Sequence, residues 1–195
     1  ATTSRVGYTF AGWYTSTGGT GTLVTAASMM TTASNHTLYA AWTANTYTVT
    51  FDAQGGTAAS PATKSVTFDA AYGALATTTR TGYTFAGWYT GTGGTGTLIT
   101  AASIVSTASN HTLYAAWTAN TYTVTFDAQG GSAPSPATKV VTYGSTYGAL
   151  ATTNRTGYTF AGWWTAVSGG SEILASTNVT TTSNQTLYAH WTANS

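Results

Sequence analysis

The sequence holds no cysteine, which excludes disulfide staples and thiolate metal sites together. Charge is almost as scarce. Charged residues make up 5% of the 195-residue chain, against roughly 25% in an average globular protein. They are Arg5, Lys64, Arg80, Lys139, Arg155, Asp52, Asp69, Asp127 and Glu172. With a formal net charge of +1, the chain has no basic field for nucleic acid and no polybasic patch for a membrane surface. No apolar run approaches the roughly 20 residues of a membrane helix, so no membrane insertion is expected. The apolar and aromatic shares, 42% and 13%, are ample for packed cores and opposite to the balance of a disordered chain. Threonine supplies close to a quarter of the chain, and a β-branched residue at that density argues for sheet. The length suits one mid-sized domain or two to three small ones.

Self-comparison shows a repeat. Arg80-Thr-Gly-Tyr-Thr-Phe-Ala-Gly-Trp-Tyr recurs from Arg5 and, with Trp164 at its end, from Arg155, and the two steps are equal. Tyr47-Thr-Val-Thr-Phe-Asp-Ala-Gln-Gly-Gly recurs from Tyr122 at the same offset. Leu38-Tyr-Ala-Ala-Trp, Leu113-Tyr-Ala-Ala-Trp and Leu187-Tyr-Ala-His-Trp close the three copies, the last shortened by one residue. The expected organisation is a partial repeat at 1–46 and full repeats at 47–121 and 122–195. Ala1 aligns with Ala76, so residue 1 reads as a cut point, with the positions equivalent to 47–75 absent from the first copy.

Within a copy the apolar period is two. Tyr122-Thr-Val-Thr-Phe126 reads as a strand with one buried face. Asp127-Ala-Gln-Gly-Gly131 supplies a turn with glycines for positive φ. A second strand near 139–143 completes a hairpin with a long connection. Gly157-Tyr-Thr-Phe-Ala-Gly-Trp is a third strand, and a bulge at Ala161-Gly162 would bring Trp163 to the face of Tyr158 and Phe160. Leu187, Ala189 and Trp191 share one face of the last strand. Ala101 to Ser106 is expected to form a short helical turn.

The ordered succession of the Tyr-Thr-Val-Thr-Phe-Asp strand and turn, Arg-x-Gly-Tyr-Thr-Phe-x-Gly-Trp, and Thr-Leu-Tyr-Ala-x-Trp resembles the Listeria–Bacteroides repeat, the B-repeat of internalin-type surface proteins. The resemblance covers essentially the whole chain. It implies a mainly β fold of tandem, small β-grasp-like (ubiquitin-like) repeat units, each the length of 47–121. It also implies an extracellular or cell-surface setting on bacterial proteins and no catalytic residues.

The residues themselves offer little chemistry. Gly91-Thr-Gly-Gly-Thr-Gly96 spells a dinucleotide fingerprint, but strand-like residues follow it, no acid stands at the required distance, and the sister copies break it. It reads as a hairpin loop, and no cofactor is expected. His36 and His111 are equivalent and His190 sits elsewhere; one imidazole per copy reads as a turn or edge residue, and no metal is expected. Asp52 and Asp127 occur once per copy, where paired carboxylates would be needed for glycoside chemistry, and read as turn residues. Lys64 and Lys139 are candidates for an isopeptide bond to an Asn side chain. Asn35, Asn110, Asn154, Asn178 and Asn184 match the N-glycosylation pattern.

The aromatic pairs Trp13-Tyr14, Trp88-Tyr89 and Trp163-Trp164 put one ring on each face of a strand. One ring must enter the core, and the other is a candidate contact surface for sugars. The sequence is therefore read as a non-enzymatic extracellular stalk or adhesin segment, whose partners are neighbouring repeats or subunits and cell-surface glycans or wall polymer. The alternatives are a self-assembling filament or sheath subunit, completed by strands donated to residues 1–46, and a carbohydrate-binding module.

Overall fold

A computed structural model describes every residue from 1 to 195. The fold is mainly β, with three sheets in repeating units. The strands are β1 (Tyr8–Tyr14), β2 (Leu23–Val24), β3 (Tyr39–Ala44), β4 (Thr46–Asp52), β5 (Thr63–Thr67), β6 (Tyr83–Tyr89) and β7 (Leu98–Ile99). They continue with β8 (His111–Ala119), β9 (Thr121–Asp127), β10 (Thr138–Thr142), β11 (Tyr158–Trp164), β12 (Glu172–Ile173) and β13 (Gln185–Ala193). The sheet orders are β2-β1-β3, β5-β4-β8-β6-β7 and β10-β9-β13-β11-β12. Two compact units form: residues 1–78 with 87–116, and residues 79–86 with 117–195.

In the second unit β9 and β10 form the antiparallel hairpin expected from the turn at 127–131, and the alternation in Tyr122–Phe126 buries Val124 and Phe126. β9 then runs parallel to β13, pairing Phe126 with Leu187. The register of β11 against β13 slips between Phe160 and Gly162. This is the expected bulge: it turns Trp163 onto the face of Phe160, with the two rings edge to face at 5.4 Å. Val124, Phe126, Val141, Tyr147, Trp163, Ile173, Val179 and Leu187 form the core, with Leu150 and Trp191 packed against it. Alternate residues of β9 and β13 enter this core because side chains alternate across a strand.

The first unit repeats the plan with β4–β5 antiparallel and β4 parallel to β8. Its buried residues are the counterparts: Val49, Phe51, Val66, Tyr72, Trp88, Ile99, Val105 and Leu113. The smaller sheet β2-β1-β3 belongs to this unit and has no hairpin of its own on the free side of β3. Trp13, Val24 and Leu38, which correspond to Trp88, Ile99 and Leu113, are therefore only half-buried.

The helical turn expected at 101–106 does not form. Thr100 to Ser103 is a turn closed by the Ser103 N–H on the Thr100 carbonyl at 3.1 Å. Beyond it the chain is extended, and Val105 exchanges backbone hydrogen bonds with Asp69 and Ala70 at 2.9 Å each. Alanine propensity is a weak preference, and backbone pairing plus complete burial of Val105 outweighs it.

Candidate functional site

The bulge sorts each aromatic pair onto two faces. Trp88 and Trp163 are core residues, 2% and 1% exposed. Their indole N–H groups donate to the carbonyls of Ala76 and Ala151, both at 2.8 Å. Trp13 makes the same bond to Ala1 at 3.1 Å. Tyr14, Tyr89 and Trp164 lie on the opposite face and are half-buried. Tyr14 pairs across the strands with Tyr39, and Trp164 with Tyr188. Only in the third copy does an imidazole join them: His190 stacks on Trp164, centroids 4.7 Å apart and planes 3° from parallel. Its counterparts are Ala41 and Ala116, which fill the space under the glycine turns at Gly19 and Gly94. Where the loop is one residue shorter, His190 takes that space and its Nε2–H donates to the Ala166 carbonyl at 2.9 Å.

The most elaborate arrangement lies where one copy meets the hairpin of the next. Gly7 has φ +77°, and a Cβ there would lie 2.3–2.5 Å from ring atoms of Phe68. The Phe68 ring thus rests flat on a backbone that only glycine can offer. Tyr8 meets the same ring edge-on at 5.6 Å, and the Arg5 guanidinium covers the Tyr8 ring at 3.7 Å. Asn45 ties the pieces together. Its N–H donates to the Gly7 carbonyl and its carbonyl accepts the Phe68 N–H, each at 2.9 Å. Its side-chain Oδ1 accepts the Thr9 hydroxyl at 2.6 Å.

The joint recurs one repeat further on, within the second unit. A Cβ on Gly82, at φ +78°, would lie 2.3–2.5 Å from the Tyr143 ring. Tyr83 meets Tyr143 edge-on at 5.6 Å under the Arg80 guanidinium at 4.0 Å. Asn120 bonds the Gly82 carbonyl and the Tyr143 N–H at 2.9 Å each, and accepts the Thr84 hydroxyl at 2.6 Å. Two substitutions separate the joints: Tyr143 stands for Phe68, and Gly144 for Asp69. Asp69 accepts the Tyr8 hydroxyl at 2.6 Å, whereas Gly144 stands in its place beneath the Tyr83 hydroxyl. The Asp69 hydrogen bond, with some desolvation, raises the Tyr8 pKa above its ordinary 10.0. The Arg5–Asp69 ion pair at 3.9 Å is half-exposed and adds little stability.

The asparagines of these joints carry no enzymatic signature. Their signal is the run Trp-Thr-Ala-Asn, which ends at Asn45, Asn120 and Asn194 and so recurs with the repeat. Asn110 and Asn184, which match the glycosylation pattern, are also strand pins: their Oδ1 atoms accept the N–H groups of Thr48 and Thr123 at 2.8 Å.

The remaining candidates serve the fold. Asp52 and Asp127 accept the N–H of Gln54 and Gln129 at 2.9 Å, closing the turns expected of them. Lys64 donates to the carbonyls of Tyr72 and Ala74 at 2.6 Å each, and Lys139 to that of Ala149 at 2.5 Å. His36 lies against the Ser34 carbonyl at 3.1 Å. His111 Nδ1 lies 3.0 Å from the Ser109 carbonyl and Nε2 accepts the Tyr72 hydroxyl at 2.7 Å. Burial raises the Tyr72 pKa above 10.0. The third copy replaces this imidazole with Gln185, which bonds Tyr147. The Gly91–Gly96 run makes the loop between β6 and β7, with a 3-10 turn at Thr92–Gly94. No three His, Asp or Glu side chains come together as a ligand set. No helix is long and apolar enough to cross a membrane.

Three segments, residues 1–41, 47–116 and 122–190, match the family model described as the Listeria-Bacteroides repeat domain. Internalin H of Listeria monocytogenes serovar 1/2a is 41% identical over 113 residues, 58% of this chain and 20% of that protein. A protein of Evansella cellulosilytica, named as a Gly-rich membrane protein, is 31% identical over 204 residues, 98% of this chain and 23% of the relative. A second, named as a membrane protein, is 32% identical over 198 residues, 97% of this chain and 28% of the relative. The chain thus spans about a fifth to just over a quarter of these relatives' length.

Proposed function

Because the chain belongs to the Listeria-Bacteroides repeat domain family, we propose that it is a non-enzymatic, extracellular or cell-surface repeat segment that acts as a spacer in a bacterial surface protein. The repeats are taken as 1–46, 47–121 and 122–195, the last two being complete β-grasp-like units. The sheet order supports that unit: a central parallel pair, β9 and β13, is flanked by antiparallel β10 and β11. The observation that carries the spacer reading is the joint built twice from the same residue types. Glycine, tyrosine and asparagine of one copy hold the aromatic ring of the next hairpin at Phe68 and again at Tyr143. The side chains in reach of one another stack, pack and bond backbone, which suits a mechanical link.

A second reading, self-assembly by strand complementation, draws on the free side of β3 and on the half-buried Trp13 and Leu38. An unpaired strand edge is a template for another strand. Against it, both hairpins of the chain are engaged in their own sheets, so a second copy has no free hairpin to donate. Light scattering of the purified chain decides between them. The spacer reading expects a monomer at all accessible concentrations, and growth into large assemblies overturns it. A glycan-contact role falls to Tyr14, Tyr89 and Trp164, since their neighbours Trp88 and Trp163 are in the core.

A further inference from the structure

The ring seat that Gly7 and Gly82 form occurs a third time, without a ring on it. Gly157 has φ +80°, as Gly7 and Gly82 nearly do, yet a Cβ built there would meet nothing within 4 Å. Gly7 and Gly82 are buried, whereas Gly157 is exposed. The rest of the seat is already assembled. The Asn194 N–H donates to the Gly157 carbonyl at 2.9 Å. Its Oδ1 accepts the Thr159 hydroxyl at 2.8 Å. The Arg155 guanidinium covers the Tyr158 ring at 4.0 Å, and that tyrosine is 38% exposed.

We infer that Gly157, Tyr158 and Asn194 are a preformed binding site for the hairpin of a further repeat of this type, whose first strand begins at position 195. The ligand group is the Phe or Tyr that follows the second hairpin strand. The inference rests on the spacer reading and names the partner of its joint. Three observations fix the occupant. At both filled seats it is an aromatic ring, Phe68 or Tyr143. At both, its N–H takes the asparagine carbonyl, the atom that Asn194 presents at the third seat. At both, the hairpin strand starts at the residue after the asparagine, Thr46 after Asn45 and Thr121 after Asn120. A second copy of the chain does not fit, because its Phe68 and Tyr143 are already seated on Gly7 and Gly82. The seat has its shape before the partner arrives, so little is spent on ordering it at the moment of docking.

The test compares the chain as it stands with an extended chain, residues 1–194 followed by a copy of Thr121–Ser195. Hydroxyl-radical footprinting of Tyr158 should fall several-fold in the extended chain, and a Tyr→Ala change at the added copy's Tyr143 should restore it. Gly157→Ala should lower the denaturation midpoint clearly more in the extended chain than in the original, approaching the effect of Gly82→Ala. Equal Tyr158 modification in both chains, with the added sheet folded by circular dichroism, overturns the inference. So does an equal Gly157→Ala shift in both. Assembly of the unextended chain in light scattering would count against the spacer reading and leaves the seat's own readouts in place.

Discussion

Aromatic rings do different work on the two faces of these strands. Trp163 is enclosed by Phe126 at 4.8 Å and Phe160 at 5.4 Å and its indole N–H is bonded. Trp163→Ala should therefore cost about 3–5 kcal/mol, read from chemical denaturation. Tyr14→Ala, on the outer face of the first copy, should cost less than about 1 kcal/mol. That adjacent rings split between the two faces was legible in the sequence, because side chains alternate along a strand; which ring enters the core was not, and the burial of Trp163 decides it. The role of Asn120 was not legible. Nothing in the side chain of an asparagine before a strand says that its backbone will bridge a glycine carbonyl and an aromatic N–H from segments far apart in sequence. Tyr72 gives a pH prediction of definite sign. Burial raises its pKa, so the folded state holds the phenolic proton more tightly than the unfolded chain. The stability this contributes is complete below the ordinary value of 10.0 and is lost as pH rises through the raised value. Denaturation midpoints should fall on the alkaline side of about pH 10, and less steeply in Tyr72→Phe. Equal steepness in the two proteins would refute this.

Strands were easier to foresee than their partners. Alternation in Tyr122–Phe126 assigns a buried face, and hairpin β9–β10 follows from the turn at Asp127-Ala-Gln-Gly-Gly131. The parallel pairing of β9 with β13 does not follow, since alternation sets which face is buried and leaves the neighbour open. A side chain also ties this pair together, the Asn184 Oδ1 accepting the Thr123 N–H. Asn184→Ala should cost about 1 kcal/mol and speed amide exchange at Thr123. Asn184→Asp keeps an acceptor and should leave that exchange slow. Equal exchange in all three proteins would show that the sheet needs no pin. The segment 101–106 is the opposite case: local propensity favours a helical turn, and a distant pairing with residues 69–73 outweighs it.

For the molecule as a whole, scarcity of charge has a direct consequence. With Asp and Glu numbering 4 and Lys and Arg 5, folding is coupled to few protons and few ions. Unfolding midpoints should hardly move between mildly acidic and mildly alkaline pH, or with added salt. A swing of tens of degrees in Tm over that range would contradict this. The family and the three-copy organisation were legible because the motifs recur in order at a fixed step. The joints between copies became visible only when Phe68 and Tyr143 were found lying on Gly7 and Gly82. The central claim is that these copies are structurally coupled through those joints. Amide hydrogen exchange at Phe68 and Tyr143, whose N–H groups bond Asn45 and Asn120, tests it most directly. Coupled copies predict protection at both amides comparable to that of the sheet interior, lost at Tyr143 on Gly82→Val while Thr123 and Thr125 in β9 stay protected. Free exchange at both amides in the unaltered protein, with the sheets intact, would contradict the claim.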